Sequence, residues 1–465
     1  EIKALLSAVP NRGPNKRAVL EWLLHGDVVP PETMFEGIYA ISPGHLIEAR
    51  AGEGRPRPRR YYNLVDHVDR AVYERFARIP FPELVREVDA ALVRGVGNCL
   101  EGAGPIGAML SGGIDSNVVT ALAREQREIV AVHASVGDDA SVDERPAAER
   151  LAKHVKVPFL VCTVNGSNFR EDLARITYWN EMPIWHLHHL PFNMIARKAS
   201  EEGIKLLVCG TMIGISFGPD VGRHLAAGWM YRARRIFGRL SEKYILAVEK
   251  TVLAHREAPI SGPGVVHKYV HMTEFADGWA RDTLLRECEE AYSFVSDPAA
   301  RSTHAMMLAD HLQFAYRFHH RADRLAMSYS VEHRNAFHDT PSVHMAINIP
   351  FTFKVHGHTT KWVLKQAALG HLPRDLVFVP KGPWALPTVA YLASVADPEL
   401  FRDGFCSEYF RLEPSAVRRL AADVRRAPLP FFSLLAVEIW GRLFFMGETP
   451  DQVTERVLSA KSIVA

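Results

Sequence analysis

Residues Pro105 to Leu110 form a short apolar run that breaks into Ser111-Gly112-Gly113, and from Asp115 to Gln126 the apolar positions return at helical spacing. A strand delivered through two glycines into a helix is the opening unit of a parallel α/β layer, because a parallel strand needs a crossover helix to carry the chain back. The flanking sequence continues the pattern. Glu128 to Val136 is β-rich, Pro146 to His154 helical, Phe159 to Val164 a strand, Leu190 to Glu202 a helix and Ile204 to Val208 a buried strand. Upstream, Leu84, Val85, Val88, Ala91 and Leu92 recur at the spacing of one helix face between Pro80 and Leu100. From about Arg223 onward the chain is mostly helical in character, without internal repeats. The expected fold is α/β: a parallel sheet with helices on both faces, followed by a mainly helical C-terminal region. Turn chemistry such as Pro30-Pro31, Ser42-Pro43-Gly44 and the Gly52 to Pro58 stretch marks off residues 1–65 from residues 66–465.

At 465 residues the chain exceeds one compact core. Its formal net charge is +2 and no Lys/Arg block exceeds a few residues, so nothing reads as an electrostatic footprint for nucleic acid. The longest uncharged stretches, such as Gly102 to Ile114, fall far short of a membrane span, and no membrane partner is expected. The five cysteines are scattered without a CxxC pair, which speaks against a disulfide framework or a zinc site and fits a reducing, cytoplasmic setting. The first residue is Glu1, so the sequence is expected to begin inside a longer chain.

The chemistry concentrates in Leu110-Ser111-Gly112-Gly113-Ile114-Asp115-Ser116. Free N–H groups at a helix start, with the positive end of the helix dipole behind them, form a seat for phosphate. Glycines let the backbone approach a polyanion, the Ser111 and Ser116 hydroxyls add donors, and Asp115 offers a carboxylate for Mg²⁺. No lysine opens the helix, so this is not the GxxxxGK[ST] loop. The arrangement suits holding pyrophosphate as a leaving group; its plainer reading is a capped strand-to-helix turn.

The SGGxDS pattern resembles the loop of the N-type ATP pyrophosphatases, and its surroundings resemble the asparagine synthetases and the related β-lactam synthetases. Glu1-Ile-Lys-Ala-Leu-Leu resembles the end of that family's N-terminal glutaminase domain, and Phe35-Glu-Gly-Ile with Ile41-Ser-Pro-Gly-His its linker. Arg324-Leu-Ala-Met-Ser-Tyr-Ser-Val-Glu-His-Arg resembles the family's DRMSMAHSLEVR stretch, and Phe337-His-Asp its PFLD. Thr360-Lys361-Trp362, Pro380-Lys381-Gly382 and Leu435-Ala-Val-Glu-Ile-Trp440 follow in the family's order. The resemblance implies an adenine nucleotide alpha-hydrolase-like sheet, residues 1–65 as a remnant of the glutaminase-like domain with its linker, and residues 66–465 as the synthetase domain. It also implies ATP and Mg²⁺ as cosubstrates and a reaction in which a carboxylate is adenylated, pyrophosphate leaves and an amine attacks. Position by position, Ser111, Gly112, Gly113, Asp115 and Ser116 would hold the phosphates, with Asp115 the metal ligand. Met109 and Val136 would line the adenine pocket and Gly210 would contact the nucleotide. Lys381 would stabilise charge on the α-phosphate, and Lys361 would sit near the phosphates.

The departures shape the expected substrate. Where the family carries three acids, this chain reads Cys209-Gly210-Thr211-Met212-Ile213-Gly214-Ile215. Thr211 replaces the Glu that in asparagine synthetase contacts the amino-acid substrate, and it is a poor base. The β-lactam synthetases pair a Tyr at that place with a second Glu, a position that falls near His319-His320 here; His320 is the candidate base. His186, His188 and His189 precede the Leu190 helix; on a strand His186 and His188 would face one side, as in a metal site, but no further carboxylate or Cys sits at ligand spacing, and the resemblance instead implies a place beside the acyl substrate. Trp179 and Trp185 read as core or as pocket wall.

These departures make asparagine an unexpected product. The expectation is an amide- or lactam-forming synthetase of specialised metabolism, such as antibiotic biosynthesis, taking a small-molecule carboxylate and an amine. The resemblance leaves room for a homodimer and for a glutaminase domain or subunit upstream. Two rivals stand beside it: a glutamine-dependent amidotransferase, and a nucleotide-binding pseudo-synthetase acting as a scaffold.

Overall fold

The computed structural model describes all residues except 10–12, 53, 55, 103, 219–278, 358, 381–384 and 465. Its centre is a five-stranded sheet of β1 (Ile106–Met109), β2 (Val130–Val136), β3 (Phe159–Val164), β4 (Leu206–Cys209) and β5 (Glu332–Asn335). The spatial order is β3-β2-β1-β4-β5 and every pair is parallel. The chain therefore steps outward from β1 to β3, then returns past β1 to lay down β4 and β5 on the other side. Such a reversal marks a switch point between β1 and β4, and the C-terminal ends of the strands at a switch point are where ligands of open α/β sheets bind.

Both faces of the sheet are covered, as parallel pairing requires. Alternate residues serve alternate layers. Ala108, Ala131, Leu206 and Val208 face a core built with Leu84, Val88, Val118, Leu122 and Leu151. Met109, Val132, Ala134, Leu207 and Cys209 face a second core with Leu173, Leu190, Ile195 and Leu325. The covering helices are α1 (Phe81–Cys99), α2 (Ile114–Gln126), α3 (Arg145–Val155), α4 (Gly166–Asn180) and α5 (His189–Glu201). The first three contribute to the first core, the last two to the second. This α/β layer with a mainly helical continuation is the expected fold class.

Downstream come the short α6 (Ile213–Phe217), the long α7 (Pro298–Met327), α8 (Trp362–Ala368), α9 (Thr388–Ser394) and α10 (Pro428–Phe445). By length and composition α10 is apolar enough to cross a membrane, but 72% of it is buried inside the protein. It is the axle of the second core. Its buried Glu438 accepts from the Phe405 and Cys406 amides and pairs with Arg442 at 2.7 Å, so its charges are matched within the fold. Residues 1–65 are tied to the same core. Phe35 packs edge-on against Trp440 at 5.4 Å, and the amide and ammonium of Lys3 both reach the buried Glu181 carboxylate at the end of α4. The five cysteines are all buried free thiols.

Candidate active site at the sheet's switch point

The Ser111–Ser116 loop leaves β1 and opens α2 at the crevice that the topology predicts. The loop is held by its own hydroxyls. Ser116 Oγ donates to the Gly113 carbonyl (3.0 Å) and accepts from the Ser111 amide (3.1 Å), and the Gly113 amide donates to Ser111 Oγ (3.3 Å). Gly112 has φ +87°, and a Cβ there would lie 2.6 Å from the Ala148 amide at the start of α3, so glycine alone fits. From the facing strand, the segment after β4 closes on the loop. A Cβ on Gly210 would stand 2.5 Å from the Asp115 carbonyl oxygen, so that position also requires glycine to keep the two switch-point connections in contact.

Lys361, at the N-cap of α8 with φ +56°, places its Nζ 2.6 Å from both Asp115 oxygens. Its chain also passes Gly214, where a Cβ would lie in ordinary contact, 3.6 Å from Lys361 Cε. The loop, the Gly210 segment and Lys361 therefore meet at one point. Met109 and Val136 lie at the C-terminal ends of neighbouring strands on one face of the sheet, both buried. Lys365, one helical turn beyond Lys361, was not singled out from sequence. Burial and the Lys361 charge lower its pKa, and Asp115 partly opposes them, which puts a second ammonium within the electrostatic reach of the loop. A run of Lys at i and i+4 on a helix is so common a surface pattern that only the fold marks it. Lys381 lies outside the described residues.

Thr211 opens onto a polar chain at the ends of β4 and β5. The Cys209 thiol lies 3.2 Å from Thr211 Oγ1 and 2.6 Å from Asn335 Oδ1. Asn335 Nδ2 donates to His319 Nδ1 at 2.8 Å, and His319 Nε2 lies 3.1 Å from His338 Nδ1. Burial lowers the pKa of His319, and burial with the neighbouring His319 takes His338 to about 3, so both rings are neutral in neutral solution. His320, the sequence candidate, points elsewhere: its Nε2 donates to the Asn180 carbonyl at 2.7 Å, at the far end of α4. Consecutive residues on a helix point about 100° apart, and the phase of α7 turns His319, not His320, toward Thr211. Asn335 carries no sequence signal of its own, and His338 is marked only as the middle residue of Phe337-His-Asp.

His186 to His188 form a turn, not the extended chain in which the two would share a face. The His189 amide and its Nδ1 both donate to the His186 carbonyl, at 3.2 and 2.7 Å, winding the segment into the start of α5. Among the described residues no cluster of three or more His, Cys, Asp and Glu side chains is arranged to hold a metal ion.

A parallel sheet with a phosphate-type loop at its switch point is shared by many nucleotide enzymes, so the geometry alone does not name a family. The sequence, however, matches the asparagine synthase family over residues 87–442. The chain belongs to the asparagine synthase family. Among its relatives, a putative asparagine synthetase (glutamine-hydrolyzing) of Mycobacterium tuberculosis is 23% identical over 404 residues, covering 80% of this chain and 58% of its own length. Asparagine synthetase (glutamine-hydrolyzing) 1 of Bacillus subtilis is 22% identical over 412 residues, 81% of this chain and 60% of its own. Amidase chry2 of Gibberella zeae is 26% identical over 201 residues, 39% of this chain and 29% of its own. The chain thus spans 58 to 60% of the length of the two synthetase relatives. Within this asparagine synthase fold, the Ser111 loop, Gly210 and Lys361 occupy one crevice, and Thr211 leads from it into the histidine pair.

Proposed function

We propose that the protein is an AMP-forming carbon–nitrogen ligase that adenylates a carboxylate with ATP, releases pyrophosphate and passes the acyl group to an amine, forming an amide or lactam of specialised metabolism. The observation that carries this reading is the apposition of the Ser111–Ser116 loop, Gly210 and Lys361 at the switch point, in a chain of this family. The loop's amides and hydroxyls would hold the β- and γ-phosphates. Lys361 would exchange Asp115 for phosphate oxygens as the nucleotide enters, because a triphosphate is the stronger partner for an ammonium. The donor chemistry fits Mg²⁺: once Lys361 turns away, Asp115 is one free carboxylate beside the phosphates, and Mg²⁺ is commonly held by one or two carboxylates together with phosphate oxygens and water. When bound, the ion would neutralise charge on the departing pyrophosphate. By the same resemblance Lys381 would neutralise the α-phosphate.

His319 is the base that this reading assigns to the amine, in place of His320. It is neutral, and with the Asn335 amide as donor its Nδ1 is the accepting nitrogen; that nitrogen would take the amine's proton as the Asn335 contact gives way. General bases of this kind contribute on the order of 10² to 10⁴-fold. The test is ATP–pyrophosphate exchange with a panel of carboxylates, followed by amide formation with ammonia. His319→Gln is expected to leave exchange intact and slow amide formation on the order of 10²-fold, while His320→Gln changes the rate little. Because burial lowers the His319 pKa below its ordinary 6.5, the wild-type advantage over His319→Gln should persist as pH falls through 6.5 and shrink only below it. Equal losses in both variants would return the assignment to a structural role for the whole helix. Transfer of ammonia from glutamine is a second reading, favoured by the names of the two synthetase relatives. A pyrophosphate exchange that requires no glutamine is common to both.

A further inference from the structure

Lys354 ends the helical turn Phe351–Lys354 with its side chain inside the protein, 1% exposed. Its Nζ donates to the Ser216 carbonyl at 2.9 Å, in the last turn of α6, where helix carbonyls lack partners within the helix. Ser216 is held from its other side as well, with its Oγ 3.4 Å from His311 Nε2. The side chains that face the ammonium from α7 are uncharged: His304 and His311 feel its charge, and burial holds both rings well below their ordinary pKa. Burial alone lowers the Lys354 pKa, to about 7, and no carboxylate among the described residues offsets it. A buried cation without a counter-ion costs stability that an apolar side chain of the same length would not. Packing therefore does not account for a lysine here.

What Lys354 holds is the approach to the phosphate loop. Val355–His356 pairs antiparallel with Thr359–Thr360, Val355 opposite Thr360, so Lys354 and Lys361 stand at the two feet of one hairpin. Gly218, directly after α6, fits between the feet. A Cβ there would lie 2.7 Å from the Lys361 amide nitrogen and 2.9 Å from the Lys354 carbonyl oxygen. Helix α6 and the hairpin are thus joined twice, by the backbone contact at Gly218 and by the Lys354 ammonium. At the second foot Lys361 has φ +56°, a left-handed conformation that a lysine keeps only where its surroundings fix it. From that conformation its Nζ reaches Asp115.

We infer that Lys354 is a positioning residue for the phosphate site: its ammonium clamps α6 to the hairpin and so holds Lys361 in line with Asp115 and with the nucleotide that enters there. The inference rests on the ligase reading in taking Lys361 as a phosphate partner. An ionised donor makes a hydrogen bond roughly twice as strong as a neutral one, so the clamp weakens as Lys354 loses its proton. Its folded pKa of about 7 lies below the ~10.4 of an unfolded lysine. Between those values the unfolded chain binds more protons, so stability rises with pH there, and the cost of the buried ammonium is fullest below the lower value.

The test compares Lys354→Met with wild type in thermal melts from about pH 6 to about pH 10 and in calorimetric titrations with ATP and Mg²⁺ over the same range. The variant should melt higher than wild type at the acid end, and the gain should shrink toward the alkaline end. It should bind ATP roughly 3- to 10-fold more weakly at the acid end, the difference between an ammonium clamp and none. That deficit should narrow as wild type loses the charge the variant lacks. A variant that is more stable yet binds nucleotide less well is a result that a purely structural lysine does not give. Where Lys354→Met fails to fold, Lys361→Ala decides, since it should abolish the part of the wild-type pH dependence of ATP binding that Lys354 supplies. Equal affinity at every pH, a deficit that does not change with pH, a melting difference without the trend, or an unaltered pH dependence in Lys361→Ala overturns the inference. If ATP binds but no acid supports pyrophosphate exchange, the ligase reading fails alone and the binding and melting curves still decide the clamp; if wild type binds no ATP, both fall.

Discussion

Asp115→Ala is expected to lower Mg²⁺-dependent pyrophosphate release on the order of 10² to 10³-fold while leaving the fold intact. The size follows from the place of the carboxylate. It stands at the start of α2, beside the loop amides, and any cation it holds acts on charge that develops as the phosphate bond breaks; loss of one such preorganised group costs that range in other enzymes. The fold survives because the pair it forms with Lys361 is partly exposed, with side chains 31% and 18% accessible. Pairs of that kind contribute about 0–1 kcal/mol. Lys361→Ala serves as the comparison. It frees Asp115 for a cation and removes a phosphate partner, so it should raise the KM for ATP more than it lowers kcat. Turnover at the wild-type level in Asp115→Ala, with an unchanged melting temperature, would mean that the phosphate site lies elsewhere. A collapsed melting temperature would instead make the Asp115–Lys361 contact structural.

The elements around this loop were legible because each rests on local rules. Strand, glycine pair and helix succeed one another within Pro105 to Gln126, and the alternation of β-rich and helical segments through Val208 follows hydrophobic period alone. The observed boundaries differ by one or two residues, where the last turn of a helix or the first residue of a strand depends on a neighbour. For His186 to His188 the spacing leaves the conformation open, since the alternate histidines share a face only in extended chain. Hydrogen bonds from His189 back to the His186 carbonyl make it a turn, a contact that no spacing announces. His320 was preferred to its neighbour for a similar reason: sequence places both on one helix but leaves its rotation open. That rotation is fixed by what α7 packs against, with Leu325 and Ala322 in the second core and Asn335 reaching His319 from the next strand.

The histidine pair was harder still to see, since its members come from α7 and from the segment after β5, and the residues that join them to Thr211 are a cysteine and an asparagine. Neither type stands out in a composition with five cysteines scattered along the chain. Only the parallel register that sets Cys209 opposite Asn335 brings them together. The missing acids of the Thr211 segment and the neutral imidazoles beside it then become parts of one arrangement, a corner in which none of Cys209, Thr211, Asn335, His319 and His338 brings a carboxylate. On the proposed ligase reading, such a corner offers no anion to an α-ammonium group.

That corner gives the second large expected effect. Thr211→Glu should weaken exchange with the enzyme's own acid on the order of 10²-fold and should not create a preference for aspartate. Thr211 sits against the Cys209 thiol, with Asn335 and His319 beyond it, and none of these carries positive charge in neutral solution; the cation whose field reaches Cys209 is Arg321, buried against Phe192 and Trp185. Lys361, the ammonium at the crevice, is engaged by Asp115. A carboxylate at residue 211 would face the substrate carboxylate; at ~5 Å and an effective dielectric of ~20 the repulsion is about 3 kcal/mol, which corresponds to roughly 10²-fold. Desolvation would raise the pKa of the introduced acid, so its charged form is lost first as pH falls. The deficit of Thr211→Glu should therefore narrow on acidification, a trend that steric blockage would not show, and Thr211→Gln, similar in size and uncharged, should keep most of the wild-type exchange. The measurement is ATP–pyrophosphate exchange with free aspartate, an N-acylated amino acid and a non-amino acid, in wild type and both variants, across pH. Wild-type exchange fastest with free aspartate would place the chain beside the asparagine synthetases in substrate as well as in fold. A Thr211→Gln loss equal to that of Thr211→Glu would replace the electrostatic account with one of shape. If ATP binds and no acid supports exchange in any of the three, the crevice serves a nucleotide-dependent scaffold and the ligase reading is set aside.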